Sequence, residues 1–190
     1  MSRRITTPSQ TVGPYLHLGL TWLNTTDLAK GTSAGEPITV SGTVFDGDGA
    51  PVPDAMLELW QANAHGKYAH PEDRQDKPLD QGFMGFGRVP TDKDGRFSFR
   101  TIKPGQVPGR GNTMQAPHIL VAVFMRGMLK HAYTRIYFSD EAANASDPVL
   151  ALVESPARRQ TLIADRAKGK AEYRWDLHMQ GGQETVFFDC

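Results

Sequence analysis

The sequence predicts an all-β protein, a β-sandwich with long loops and two short helices. Three observations carry that expectation. Runs of alternating apolar and polar residues recur along the chain, with the period of half-buried strands. The turn sequences Asp46-Gly47-Asp48-Gly49 and Asp92-Lys93-Asp94-Gly95 punctuate them. The segment His118 to Met125 is an almost unbroken apolar run rich in β-branched residues, as expected of a strand buried on both faces. With 190 residues the chain suffices for one domain with its own core, so we read 1–190 as a single unit with 1–15 as an N-terminal arm.

Residues 6–15, TTPSQTVGPY, show neither helical nor strand period and hold two prolines and a glycine. By pattern they fit a disordered terminus, an edge strand or an arm laid on another chain. Leu16, Leu18, Leu20 and Trp22 alternate, predicting a short strand or extended segment, and the polar stretch 24–36 predicts a loop. Ile38, Val40, Gly42 and Val44 form the next strand, and residues 55–62 (AMLELWQA) another, with Met56, Glu58 and Trp60 on one side. The segment from Asn63 to Pro90 lacks period and holds His65, Tyr68 and His70; a loop of that length usually carries function. Phe97, Phe99 and Thr101 mark a strand over 96–102, and a Gly/Pro-rich loop from Lys103 leads into the apolar run. Residues 134–140, 172–179 and 185–190 supply the last strands. Asp147-Pro148 and Ser155-Pro156 each place a capping side chain before a proline at the first helical position, predicting the two short helices.

Lysine plus arginine number 21, as do aspartate plus glutamate, so formal net charge is zero. Such a chain lacks the electrostatic footprint expected for nucleic acid or an anionic membrane. It also offers little colloidal resistance to association, which favours an oligomer. No apolar run approaches membrane-spanning length. Ser2-Arg3-Arg4 is followed by Ile5, Thr6, Thr7, Pro8, Ser9 and Gln10, without the apolar segment of an export signal, which leads us to expect a cytoplasmic protein. The single cysteine, Cys190, ends the sequence and makes a poor nucleophile candidate. Neither Asp-x-Asp-Gly turn has the glutamate that completes an EF-hand, so both read as hairpin turns.

No serine nucleophile elbow, P-loop or dinucleotide fingerprint occurs. The chemistry-bearing residues are His65, Tyr68, His70, His118, His131, Tyr133, Tyr137 and His178. Imidazole and phenolate donors suit a hard ferric ion. Yet two residues beyond His118 stands Leu120, which has no donor, and a lone histidine opening a buried strand reads as a hydrogen-bonded core imidazole. Arg126, closing the same strand, must send its guanidinium to a carboxylate, a carbonyl or water.

The segments TPSQTVGPY (7–15), LELWQANAHGKY (57–68), GFGRVPTDKDGRFSFRTIKPG (85–105), APHI (116–119), FMRG (124–127), TRIYF (134–138) and GGQETVFFD (181–189) together resemble the intradiol ring-cleaving catechol dioxygenases over nearly the whole chain. The resemblance implies a β-sandwich and non-haem ferric iron, Fe(3+), held by two tyrosines and an H-x-H pair. At the corresponding positions this sequence has Gln75 after Asp73-Arg74, Val107 in the glycine- and proline-rich loop, and His118-Ile119-Leu120. Only His118 is kept, so the resemblance implies no metal ligands and no catalytic residues in this chain alone. It implies instead an iron-free subunit that completes the pocket of a homologous iron-binding chain, with Thr11, Gly13, Pro14, Tyr15 and Arg126 lining the substrate cavity. The implied reaction is O2-dependent cleavage of 3,4-dihydroxybenzoate to 3-carboxy-cis,cis-muconate in a hetero-oligomer of paired chains. Two other readings compete: a non-enzymatic β-sandwich binding module that has lost its metal, and a self-sufficient enzyme using His65, His70 or Tyr133 as ligands.

Overall fold

A computed structural model describes residues 11, 13, 15–31 and 34–189. Among them lie eleven strands: β1 (Pro37–Phe45), β2 (Met56–Trp60), β3 (Phe86–Pro90), β4 (Arg96–Ile102), β5 (Val107–Pro108), β6 (Met114–Gln115), β7 (His118–Phe124), β8 (Ala132–Phe138), β9 (Ile163–Arg166), β10 (Glu172–Arg174) and β11 (Leu177–His178). The strands β3, β2, β7, β8 and β9 follow one another side by side; β9 then pairs with β10, β10 with β1, and β1 with both β4 and β11. The ribbon folds back on itself, because inward residues of both halves share one core. Val40 and Val44 of β1 and Phe97 and Phe99 of β4 join Leu57, Leu59, Val89, Val121, Val123 and Ile136 in a single apolar cluster. The far edges are stitched by residues 25–28: Thr25 bridges to Arg88 of β3, and Asp27 to Arg100 of β4. This is the sandwich expected from the alternating pattern.

β7 is the interior strand. It pairs antiparallel with β2 on one side (Leu57 opposite Val123, Leu59 opposite Val121) and with β8 on the other (Ile119 opposite Ile136). Its residues Ile119, Val121, Ala122 and Val123 are buried, which is why its sequence shows no polar alternation. β1 tolerates a close neighbour through Gly42, where an added Cβ would fall on the Trp175 carbonyl and the Phe97 ring.

Several elements differ from the sequence expectation. Leu16 to Trp22 is no strand. Tyr15–Gly19 forms a one-turn helix, with Leu20 N–H donating to the Leu16 carbonyl, and Thr21–Leu23 a further turn. Only Leu16 is buried; Leu18 and Trp22 point to solvent, so the alternation did not mark a sheet face. The last five residues of the long segment 63–90 are strand β3, with too few residues to show a period. Asp92 to Gly95 does turn tightly, with Asp92 N–H donating to the Arg96 carbonyl, but β3 and β4 lie in different halves and do not pair. Residues 185–189 follow the β8 edge through one bridge, Tyr133 to Phe188, rather than forming a strand; Cys190 is outside the described residues. Ser155 does cap a helix, Pro156–Gln160. Asp147 precedes only a single turn, Leu150–Leu152; its buried carboxylate accepts from Leu150 N–H and also from Ala116 N–H and the Tyr137 hydroxyl.

At one end of the sandwich the ends of β4, β8 and β9 are tied by charge. Lys103 Nζ stands 2.9 Å from Asp140 Oδ2 and 2.7 Å from Glu141 Oε1, with its side chain only 12% exposed. Arg166 bridges Asp140 and Glu36, and the Tyr173 hydroxyl donates to Asp140. Burial alone would raise the Asp140 pKa, but the donors Lys103, Arg166 and Tyr173 hold it down at about 2. Removing the central cation takes the Lys103 partner from Glu141 and leaves Asp140 to Arg166 and Tyr173 alone. We therefore expect Lys103→Met to cost about 2–3 kcal/mol in urea unfolding. A loss no larger than about 0.5 kcal/mol, typical of a neutral surface site, would show the network to be ornamental.

Candidate functional site

Two places bring together the residues singled out from the sequence. The first is the end of β7. Its pairing with β2 sets Met56 opposite Phe124, so the residues two beyond each, Asp54 and Arg126, continue the same register. Arg126 Nε lies 3.3 Å from Asp54 Oδ2, the carboxylate destination expected for an arginine closing an apolar strand. The Arg126 side chain remains 72% exposed, and the chain turns away through Gly127 at φ 81°. Thr11 reaches the same spot, its hydroxyl donating to the Met125 carbonyl at 3.3 Å. Gly13 accepts weakly from Leu16 N–H at 3.4 Å and so leads into the first helical turn, which Tyr15 opens. The structure thus places Thr11 beside the residue preceding Arg126. Pro14 lies outside the described residues, as do positions 1–10 of the arm and the side chain of Tyr15. Beneath Arg126 a cleft of about 420 Å3 is lined by Met125, Met128, Met179 and Phe187.

The second place surrounds Trp60 of β2. A cleft of about 830 Å3 is lined by Trp60, Tyr68, His70, Asp73, Gln75 and Val107. It gathers two of the three positions where the resemblance would have put a ligand and this chain has another residue. The third, Leu120, lies directly across from Trp60 in the β2–β7 pairing. Tyr68 stacks on Trp60 with ring centroids 5.7 Å apart, and burial raises its hydroxyl pKa above the usual phenol value. Gln75 is spent on local structure: its amide donates to the Gly66 carbonyl and to Asp73 Oδ2, each at 3.0 Å.

His118 behaves as the core imidazole its position suggested. It is 5% exposed, with Nδ1 2.7 Å from the Ala116 carbonyl, to which it donates in the neutral tautomer. Burial, helped by the nearby Arg135 guanidinium, pushes its pKa down to about 4. His70 meets the edge of Trp60, while Tyr133 contacts His131; His65 sits in an exposed turn. The side chains of an alternative ligand set thus have separate neighbourhoods. Among the described residues no group of three His, Cys, Asp or Glu side chains could hold a metal ion. Val107 and Leu120 carry no donor atom and Gln75 is already engaged, so the residues at this cleft do not fit a ferric centre.

A family model described as a dioxygenase matches residues 13–181. The chain is 47% identical over 200 residues to the protocatechuate 3,4-dioxygenase alpha chain of Pseudomonas putida, covering 96% of each. The chain belongs to the intradiol dioxygenase family. It is also 36% identical over 163 residues to the protocatechuate 3,4-dioxygenase beta chain of Burkholderia cepacia, covering 82% of this chain and 69% of that one. Among solved structures, the dioxygenase domain of a dioxygenase–carbohydrate-binding fusion from Streptomyces sp. SirexAA-E superposes with a TM-score of 0.64 at 26% identity, covering 98% and 96%. This intradiol dioxygenase chain therefore has relatives among both an alpha and a beta type. No helix of the described residues is long and apolar enough to cross a membrane.

Sequence reasoning missed Asp54 and Arg135, and read Asp147 only as a helix cap. Asp54 becomes visible only when β2 and β7 are registered. Arg135, opposite Leu120 on β8, donates to Gln115 Oε1 at 2.7 Å and to the Tyr137 hydroxyl at 3.3 Å, holding a polar lattice beside His118.

The His118 geometry has a pH consequence. Its folded pKa of about 4 lies below the ordinary 6.5, so between those values the unfolded chain binds a proton that the folded chain refuses. Stability from this site is complete above pH 6.5 and falls as pH drops toward 4, by up to about 3 kcal/mol. Urea midpoints of the parent and of His118→Asn, measured from pH 7 to pH 4, should show the variant with the flatter slope. Parallel curves would mean that His118 takes its proton as readily as in the unfolded chain.

Proposed function

We propose that this chain is an iron-free subunit of a protocatechuate 3,4-dioxygenase. It would complete the active site of a homologous iron-binding beta chain that cleaves 3,4-dihydroxybenzoate to 3-carboxy-cis,cis-muconate with O2. The observation that carries the reading is the donor set. At three of the family's four ligand positions stand Gln75, Val107 and Leu120, in a chain otherwise 47% identical to a relative named as an alpha chain. Ferric iron, when bound by the partner, supplies activation of the catecholate and O2; none of that chemistry falls to this chain.

This chain's contribution is charge and shape. The substrate brings a catecholate and a carboxylate, and cleavage moves negative charge onto oxygen. Arg126, largely exposed and fixed at its Nε by Asp54, offers its two terminal nitrogens to an anion beyond the surface of this chain. Thr11, Gly13, Pro14 and Tyr15 of the arm would form the wall next to it. In this reading the arm packs on the partner chain, and the 1–190 unit works only as part of a hetero-oligomer of paired chains in the cytoplasm. The exposed Leu18 and Trp22 beside the arm suit burial in such an assembly.

Purified alone, the chain should contain no stoichiometric iron and lack the red-brown colour of tyrosinate bound to ferric ion; stoichiometric iron by metal analysis would refute the reading. In the complex with the iron-binding chain, Arg126→Ala should lower kcat/KM by about 10- to 150-fold, the worth of one charge-assisted hydrogen bond made in the transition state. Iron content and assembly should stay unchanged, and Arg126→Lys should recover only part of the loss. A change within about twofold would leave Arg126 as scaffold.

A further inference from the structure

The pair at the end of β7 is asymmetric. Asp54 uses one carboxylate oxygen, Oδ2, toward Arg126 Nε, while its other oxygen, Oδ1, is buried and has no hydrogen-bond partner. A buried, unpartnered carboxylate oxygen is costly, and a fold retains one where something compensates for it. Asp54 is also held firmly. The backbone on either side is tied to buried Thr91, whose hydroxyl accepts from Ala55 N–H at 3.0 Å and donates to the Val52 carbonyl at 2.8 Å. Arg126, by contrast, has no other ion-pair or hydrogen-bond partner among the described residues.

A guanidinium has two edges that meet an oxyanion with paired N–H groups, one through Nε and one through both terminal nitrogens. We propose that Asp54 is a positioning residue for Arg126. It grips the Nε edge from a rigid turn, with Oδ1 poised to accept a terminal N–H, and so turns the terminal edge outward toward the anion of the completed active site. An exposed arginine otherwise samples many rotamers, and fixing one in advance removes that entropic cost from the binding step. The inference rests on the role given to Arg126 above. It adds the residue that makes this guanidinium a directed donor rather than a diffuse charge.

The test is a double-mutant cycle in the complex with the iron-binding chain, using Asp54→Ala, Arg126→Ala and both together. Asp54→Ala should lower kcat/KM about three- to tenfold, divided between kcat and KM in the same proportion as the loss in Arg126→Ala, with iron content and assembly unchanged. Asp54→Asn keeps an oxygen facing Nε and should restore part of that loss, and it replaces the alanine variant if the latter fails to assemble. In the Arg126→Ala background, Asp54→Ala should add no further kinetic loss. Two outcomes overturn the inference alone: a harmful Arg126→Ala beside a harmless Asp54→Ala, or losses that simply multiply in the double variant, as for a purely structural aspartate. A harmless Arg126→Ala overturns the subunit's proposed role and this inference with it.

Discussion

The register between β2 and β7 is the constraint on which the rest of the structure depends. With Leu57 opposite Val123 and Leu59 opposite Val121, both strands send their aliphatic side chains into the shared core. A slip of one residue would turn every one of them to the other face. The same register decides where polar residues fall. It brings Trp60 across from Leu120 at one end of the pair and Asp54 across from Arg126 at the other. The clefts at both ends are therefore consequences of how the core is keyed, and each is supported by a strand that cannot shift without emptying the core.

Polar groups inside this framework divide into those that brace it and those that face outward from it. Asp147 is buried and accepts from two backbone N–H groups of its own turn, from Ala116 and from Tyr137, so its charge is spent on shaping the loop beneath β8. Lys103, Asp140 and Arg166 serve the strand ends in the same manner. Around Trp60 the polar residues are similarly engaged with one another. Near Arg126 a charged group combines an anchor in a rigid turn with wide exposure.

Strands with a strict period were legible in the sequence. Arg96–Ile102 matches its expected limits and His118–Phe124 ends one residue before the expected Met125, because alternation and an unbroken apolar run follow burial. β3, β9 and the β5–β6 pair were not, since two to five residues are too few to establish a period. The misread Leu16–Trp22 stretch shows the converse: spaced leucines resemble a strand even where only Leu16 is buried. His118, Arg126 and the three changed ligand positions could be read because they stand within or beside recognisable runs. Asp54 could not, because its importance comes from a residue more than seventy positions away, brought near by strand pairing alone.

The unequal burial of the three tryptophans gives the chain a built-in optical signal. Trp175 is 2% exposed, with its indole N–H donated to the Thr161 carbonyl, and Trp60 is half-buried against Tyr68. Trp22, at 76% exposure next to Leu18, stands in water, where an indole is expected to emit at longer wavelength than a buried one. Any surface that comes to rest on that side of the molecule should change the light of Trp22 and leave the buried Trp175 unaffected. Assembly and unfolding thereby acquire different colours in the same intrinsic spectrum.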